Sequence, residues 1–169
     1  MIREIVKYGE TVLQRPAAEV EDITDEIRTL VDDMIDTMYA ASGVGLAAPQ
    51  VGISKRILVT DVSSGRPGDG LIVMINPTVT RRDGVQTEPE GCLSVPGFEA
   101  PVPRPAELAL RGLDRDGTEQ EIVGTELLAR AFQHELDHLD GSLFLDRLHG
   151  FKRDLILRKI RKRRRSGDW

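Results

Sequence analysis

Two histidines four residues apart enclose a glutamate in the run His134-Glu135-Leu136-Asp137-His138. On a helix, residues i and i+4 lie one above the other, so both imidazoles can reach one tetrahedral cation. Glu135 projects beside them, where a carboxylate can take a proton from metal-bound water. The chain holds 3 histidines and two of them stand here, which favours a hydrolytic metal site over two unrelated histidines. Such a site needs a third protein ligand and an open position for water. A histidine three residues after Gly141 would complete one metalloprotease pattern, but Phe144 stands there. A downstream glutamate would complete another, and none follows His138; Asp140 and Asp146 sit close to helix ends. An isolated thiol is more often a small buried hydrophobe than a ligand. The vacant ligand position reverses that preference for Cys92, in Glu90-Gly91-Cys92-Leu93-Ser94, and a Cys-His-His set accommodates zinc or ferrous iron.

A third segment, Gly43-Val44-Gly45-Leu46-Ala47-Ala48-Pro49-Gln50, lacks the Lys-Ser/Thr ending of a phosphate loop. Its small residues let another backbone approach, as at a tight turn or a peptide-binding edge. The Gln50 amide can donate to a developing oxyanion.

These residues need elements to hold them. Ile27, Leu30, Val31, Met34, Ile35 and Met38 recur at helical spacing, with Thr24 as N-cap and Gly43 as the stop. Ile57 to Val59 and Leu71 to Ile75 read as strands around the turn-rich residues 63–70. Leu108, Leu110 and Gly112 share one strand face, and Asp114-Arg115-Asp116-Gly117 turns the chain into Glu121 to Val123 as a hairpin. A second helix carries Leu127, Leu128, Ala131, His134, Leu136 and His138 up to Asp140-Gly141, and a third begins near Gly150. Strands do not alternate with crossover helices. The fold class is therefore α+β, with mostly antiparallel sheets around a central metal-binding helix, an N-terminal core helix and a C-terminal basic helix. Residues 1–150 are expected to form one catalytic domain and 151–169 the basic helix and tail.

The 169 residues, 40% hydrophobic and 30% charged, suit one ordinary core. A single cysteine excludes an internal disulfide framework. No apolar run exceeds five residues and the start lacks a signal-peptide core, so a cytoplasmic protein without a membrane partner is expected. Lacking a coiled-coil seam, it is expected to be a monomer. Net charge is -5, yet residues 152–165 carry +8, leaving -13 on the remainder. Such a tail suits either a polyanionic partner or plain solvation.

Taken together, Gly43 to Gln50, Glu90 to Ser94 and His134 to His138 resemble the three motifs of the peptide deformylases, in the family's order. The resemblance extends over nearly the whole chain up to Leu148. It implies a metal held by Cys92, His134 and His138, with ferrous iron expected and zinc, nickel or cobalt as substitutes. It implies Glu135 as the base that activates water against the formyl carbon of N-formyl-methionyl nascent peptides. The Gln50 side chain and the Leu93 backbone N–H would stabilise the oxyanion. Val44, Gly45 and Gly91 would pair with the peptide backbone, and Val44, Leu127 and Ala131 would line the methionine pocket. Glu88 and Arg130 stand where relatives often carry apolar residues; they either pair at the rim or alter side-chain preference. Asp137 is expected to cap, pair or support, and Glu90 either orients a ligand histidine or is a surface carboxylate. His149 has no role assigned. The basic helix would dock on the ribosome through RNA, and deleting 158–169 is expected to spare activity on short peptides.

Overall fold

Ile57, Leu58, Val59 and Thr60 are buried on both faces of an extended chain, and in the computed structural model the two halves of the core meet across them. The structure describes residues 1–63 and 65–169; Ser64, within the turn expected at 63–70, lies outside the described residues. Along the chain come α1 (Asp25–Ala40), β1 (Gly45–Ala47), β2 (Ile57–Thr60), β3 (Ile72–Asp83), β4 (Gln86–Cys92) and β5 (Val95–Arg104). Then follow β6 (Glu107–Leu113), β7 (Glu119–Thr125), α2 (Glu126–Leu139) and α3 (Gly150–Ser166). One sheet has five strands in the order β1-β2-β3-β6-β7, and β4 pairs with β5 as a separate hairpin. Each of these ladders is antiparallel, in keeping with the α+β expectation.

Side chains alternate across a strand, so a run buried on both sides must be covered twice. Ile57 and Val59 pack with Leu30, Val31, Met34 and Met38 of α1. Leu58, between them, packs with Ala129, Phe132, Leu136 and Leu139 of α2. The two helices therefore cover opposite faces of the five-stranded sheet. Thr24 caps α1, its hydroxyl accepting from the Ile27 N–H at 3.3 Å. The helix stops at Ala40, before Gly43, because Ser42 takes a left-handed conformation (φ 55°) and turns the chain first.

One strand expected from the sequence is too short, and one hairpin is absent from that reading. β3 continues to Asp83, past a register shift between Ile75 and Thr78. Pro77 lies in that shift and has no N–H to give the ladder. The β4–β5 hairpin was not foreseen, because prolines break the usual strand signal; Pro89 faces Pro101 across it. Its inward alternation is real, through Ala100, Val102 and Arg104, but the last member is an arginine.

A third cluster ties α3 to the hairpin: Ile156 and Ile160 pack with Val95, Ala100, Val102 and Phe144. Trp169 donates its indole N–H to the Tyr8 carbonyl at 2.9 Å, and Arg163 lies 4.7 Å over the Phe98 ring. Deleting 158–169 would thus remove Ile160 and Trp169 from the packing. No helix among the described residues is long and apolar enough to cross a membrane.

Candidate active site

Cys92 is the last residue of β4, and its Sγ lies 3.3 Å from Nε2 of His138. His134, one turn earlier on α2, has its ring centre 5.0 Å from that of His138. One ligand atom from each of the three residues lies within 4.8 Å of the others. A tetrahedral cation with bonds of about 2.0–2.3 Å keeps its ligands about 3.3–3.7 Å apart, so these side chains fit a divalent cation with little adjustment. His134 directs Nδ1 to the Glu90 carboxylate at 2.7 Å, which leaves Nε2 to act as a ligand. Nδ1 of His138 is buried without a partner among the described residues.

Glu135 is buried beside them, and its Oε2 also has no partner among the described residues. Burial pushes its carboxyl up to about 7, against the opposing pull of His134. The glycines of the first motif make room for this arrangement. A Cβ on Gly45 would sit 2.5 Å from Oε1 of Glu135, and one on Gly43 would sit 2.8 Å from a Leu93 side-chain carbon. Gln50 is fixed in orientation: Oε1 accepts from the Ala47 N–H at 2.9 Å. Its Nε2 therefore faces Ser94 Oγ at 3.2 Å and Cys92 Sγ at 3.6 Å.

A buried ionic cluster backs the histidines. Arg104, with no exposed side-chain surface, donates to Glu90 at 3.0 and 2.5 Å and to Asp137 at 2.7 Å. Arg130 donates at 2.8 Å to Glu90 Oε1, the oxygen that also accepts from Arg104 Nε, and to the Val102 carbonyl at 2.9 Å. Arg147 binds Asp137 with two hydrogen bonds of 2.8 and 2.7 Å. Burial alone would raise the Glu90 carboxyl, but the bonds from His134 and Arg104 outweigh it and hold Glu90 at about 2. Glu90 is thus a permanent anion that orients His134, and Asp137 braces Arg104.

A cavity of about 300 Å³ opens onto this centre. Val44, Gly45, Gln50, Gly91, Cys92, Leu93, Leu127, Ala131, His134 and Glu135 line it; His138 lies behind, fully buried. Val44 and Leu127 are 44% and 47% exposed, so they form the rim. Glu88 and Arg130 do not pair: Glu88 is exposed, whereas Arg130 is buried against Glu90. His149 is exposed at the start of α3. Sequence reasoning missed Arg104 and Ser94. The period-two alternation ending at Arg104 was the available signal; Ser94 had none beyond its motif.

The family model described as polypeptide deformylase matches residues 2–154. A peptide deformylase from Acidobacterium capsulatum is 53% identical over 169 residues, covering 100% of this chain and 99% of that protein. One from Thermodesulfovibrio yellowstonii is 47% identical, covering 96% and 99%. The crystal structure of a peptide deformylase from Legionella pneumophila superposes with a TM-score of 0.92 at 42% identity, covering 99% of this chain and 98% of that one. That from Ehrlichia chaffeensis in complex with actinonin gives 0.89 at 41% identity, covering 96% and 97%.

Proposed function

This chain belongs to the polypeptide deformylase family, and from that premise we propose that it hydrolyses the formyl group from the N-formyl-methionyl end of newly made polypeptides, releasing formate. Cys92, His134 and His138 would hold a divalent cation, ferrous iron by family resemblance with zinc, nickel or cobalt as substitutes, which supplies Lewis acidity and lowers the pKa of water it binds. Glu135 takes a proton from the attacking water and returns it to the departing amine, so water divides between formate and the new N-terminus. The Gln50 amide and the Leu93 backbone N–H donate to the oxyanion that forms on the formyl carbon. β1 is an edge strand, and Gly45 on it and Gly91 on β4 stand across the cavity, which supports a peptide added as a further strand. Val44, Leu127 and Ala131 would receive the methionine side chain. One chain supplies all these groups, in keeping with action as a monomer.

The observation that carries this reading is the buried Glu135 carboxyl beside the Cys-His-His cluster, its Oε2 without a partner among the described residues. It is tested by formate release from formyl-Met-Ala-Ser, using protein purified without oxygen and loaded with ferrous iron. Rapid release by wild type and not by Glu135→Gln is expected; no release by fully loaded wild type would overturn the reading.

We further propose that α3 docks on ribosomal RNA. Arg158, Lys159, Arg161, Lys162 and Arg165 are exposed, and none has an ion pair among the described residues. Arg163 and Arg164 instead lie against Phe98 and Gly9. Replacing those five residues with Gln keeps Ile160 and Trp169 and should flatten the salt dependence of ribosome binding by about 0.7–0.9 per lost phosphate contact. An unchanged slope would remove this role.

A further inference from the structure

The segment before α1 joins two motifs of the catalytic centre through its backbone. The Val6 N–H donates to the Gln50 carbonyl at 2.8 Å, and the Tyr8 N–H donates to the Ser94 carbonyl at 2.8 Å. Both accepting residues are buried beside the chemistry. Gln50 carries the amide assigned to the oxyanion. Ser94 closes the Leu93–Ser94 turn between β4 and β5, and its hydroxyl accepts from the Gln50 amide at 3.2 Å. Its own N–H points to Cys92 Sγ at 3.4 Å. Residues 6–8 therefore tie together the two segments that hold the oxyanion donors.

Residues beyond α3 in turn hold that segment. Gly167 (φ 81°) ends the helix in a left-handed turn, and Trp169 then donates its indole N–H to the Tyr8 carbonyl at 2.9 Å. Tyr8 thus gives its N–H to the catalytic turn and accepts from Trp169 on its carbonyl, so restraint of one group restrains the other. Gly9, at φ 110°, leaves room for the Arg164 guanidinium; a Cβ there would lie 2.9 Å from it. Trp169 also tilts against Phe98 of β5, with 6.4 Å between ring centres. Residues 4–10, Arg164 and Trp169 line a cavity of about 230 Å³, so the segment meets this end of α3 at a few points and not across a filled interface. With so few points, the Trp169 bond carries much of the restraint on residues 6–8.

We infer that Trp169 is a positioning residue for the proposed reaction: through Tyr8 it holds the segment that fixes both oxyanion donors, the Gln50 amide and the Leu93 N–H. The inference rests on the deformylase reading above. An oxyanion donor works by standing in place before charge develops, so a small displacement of it costs rate without weakening the grip on substrate. On this inference residues beyond Ile160 serve hydrolysis of short peptides and not only the docking of α3.

The test uses Trp169→Phe, which keeps a ring for Phe98 and removes the indole N–H. With formyl-Met-Ala-Ser and equal iron loading, kcat should fall about fivefold or more while KM stays within about twofold, since the lost contribution is made in the transition state. In a Gln50→Ala background, where one of the two donors is already gone, the same substitution should cost about twofold or less. A merely structural role would slow both backgrounds alike. In cobalt-loaded protein, Trp169→Phe should also shift the thiolate-to-cobalt absorption band, because Ser94 and Gln50 both approach Cys92 Sγ. An unchanged kcat, an equal loss in both backgrounds or an unmoved band overturns the inference, while formate release by wild type keeps the deformylase reading intact. A fully loaded wild type that releases no formate overturns the two together.

Discussion

α1 and α2 cover opposite faces of one sheet, yet they bury different chemistry. α1 sets Leu30, Val31, Met34 and Met38 against the strands and leaves much of its outer side to water. In α2 every residue from Ala129 to Leu139 is buried. Ala129, Phe132, Leu136 and Leu139 meet the sheet, while Arg130, His134, Glu135, Asp137 and His138 turn towards the hairpin or the catalytic cavity. A helix whose polar face is withdrawn from water must have its charges matched, and Arg104 and Arg147 from other parts of the chain supply the match. α1 thus owes its place chiefly to apolar area, which is tolerant of detail, with one buried carboxylate, Asp33, matched by the Met1 amino group and Arg3. α2 owes its place to area on one side and to an ionic network on the other, and that second side is also where the chemistry lies.

The largest expected effect separates function from stability within α2. Glu135→Gln should slow formate release by about two to four orders of magnitude, the usual worth of a positioned acid–base group. Because Oε2 of Glu135 has no partner among the described residues, the variant should unfold in urea at the same or a higher midpoint. A fall in stability alongside activity would make Glu135 structural and blur the contrast.

Next comes the network itself. Arg104→Met leaves Glu90 and Asp137 short of a buried partner and should cost about 3–5 kcal/mol in urea unfolding. The same variant should lose its cation faster on dialysis against a chelator, since Glu90 then orients His134 less firmly. Met34→Ala, on the other side of the sheet, should cost about 2–5 kcal/mol by opening a cavity in the apolar cluster. Its cation retention should match that of wild type; a faster loss would show that the two faces are coupled.

The smallest effect lies at the edge of the α1 side. Tyr39 donates to Asp61 at 2.5 Å. Although burial opposes it, this bond and those from Ser63 hold the Asp61 carboxyl at about 2, below its ordinary 3.8. The folded state therefore gains from Asp61 above pH 3.8 and loses that gain as pH falls through about 2. Tyr39→Phe should cost about 1 kcal/mol at pH 7, and the difference from wild type should shrink towards pH 2 in urea titrations.

Local pattern carried much of this protein into view. The spacing of His134 and His138 is a property of any helix, and the apolar stripe of α1 and the doubly apolar β2 each declare their geometry within a few residues. Cys92 emerged by elimination among the residue types that can bind a cation. The β4–β5 hairpin stayed hidden because prolines and an inward arginine replace the residues by which strands are recognised.

The helical pair of histidines with its glutamate, the alternating and helical apolar patterns, and the charge contrast between body and tail follow from residue order alone. Packing across the chain decides that Gly45 makes way for Glu135, that Arg104 is shared between Glu90 and Asp137 with Arg130 and Arg147 beside it, and that Arg130 turns away from Glu88. Periodicity is a local property of the backbone and can be read along the chain. Close approach and charge matching join residues tens of positions apart, and they exist only once packing has brought those residues out of water together.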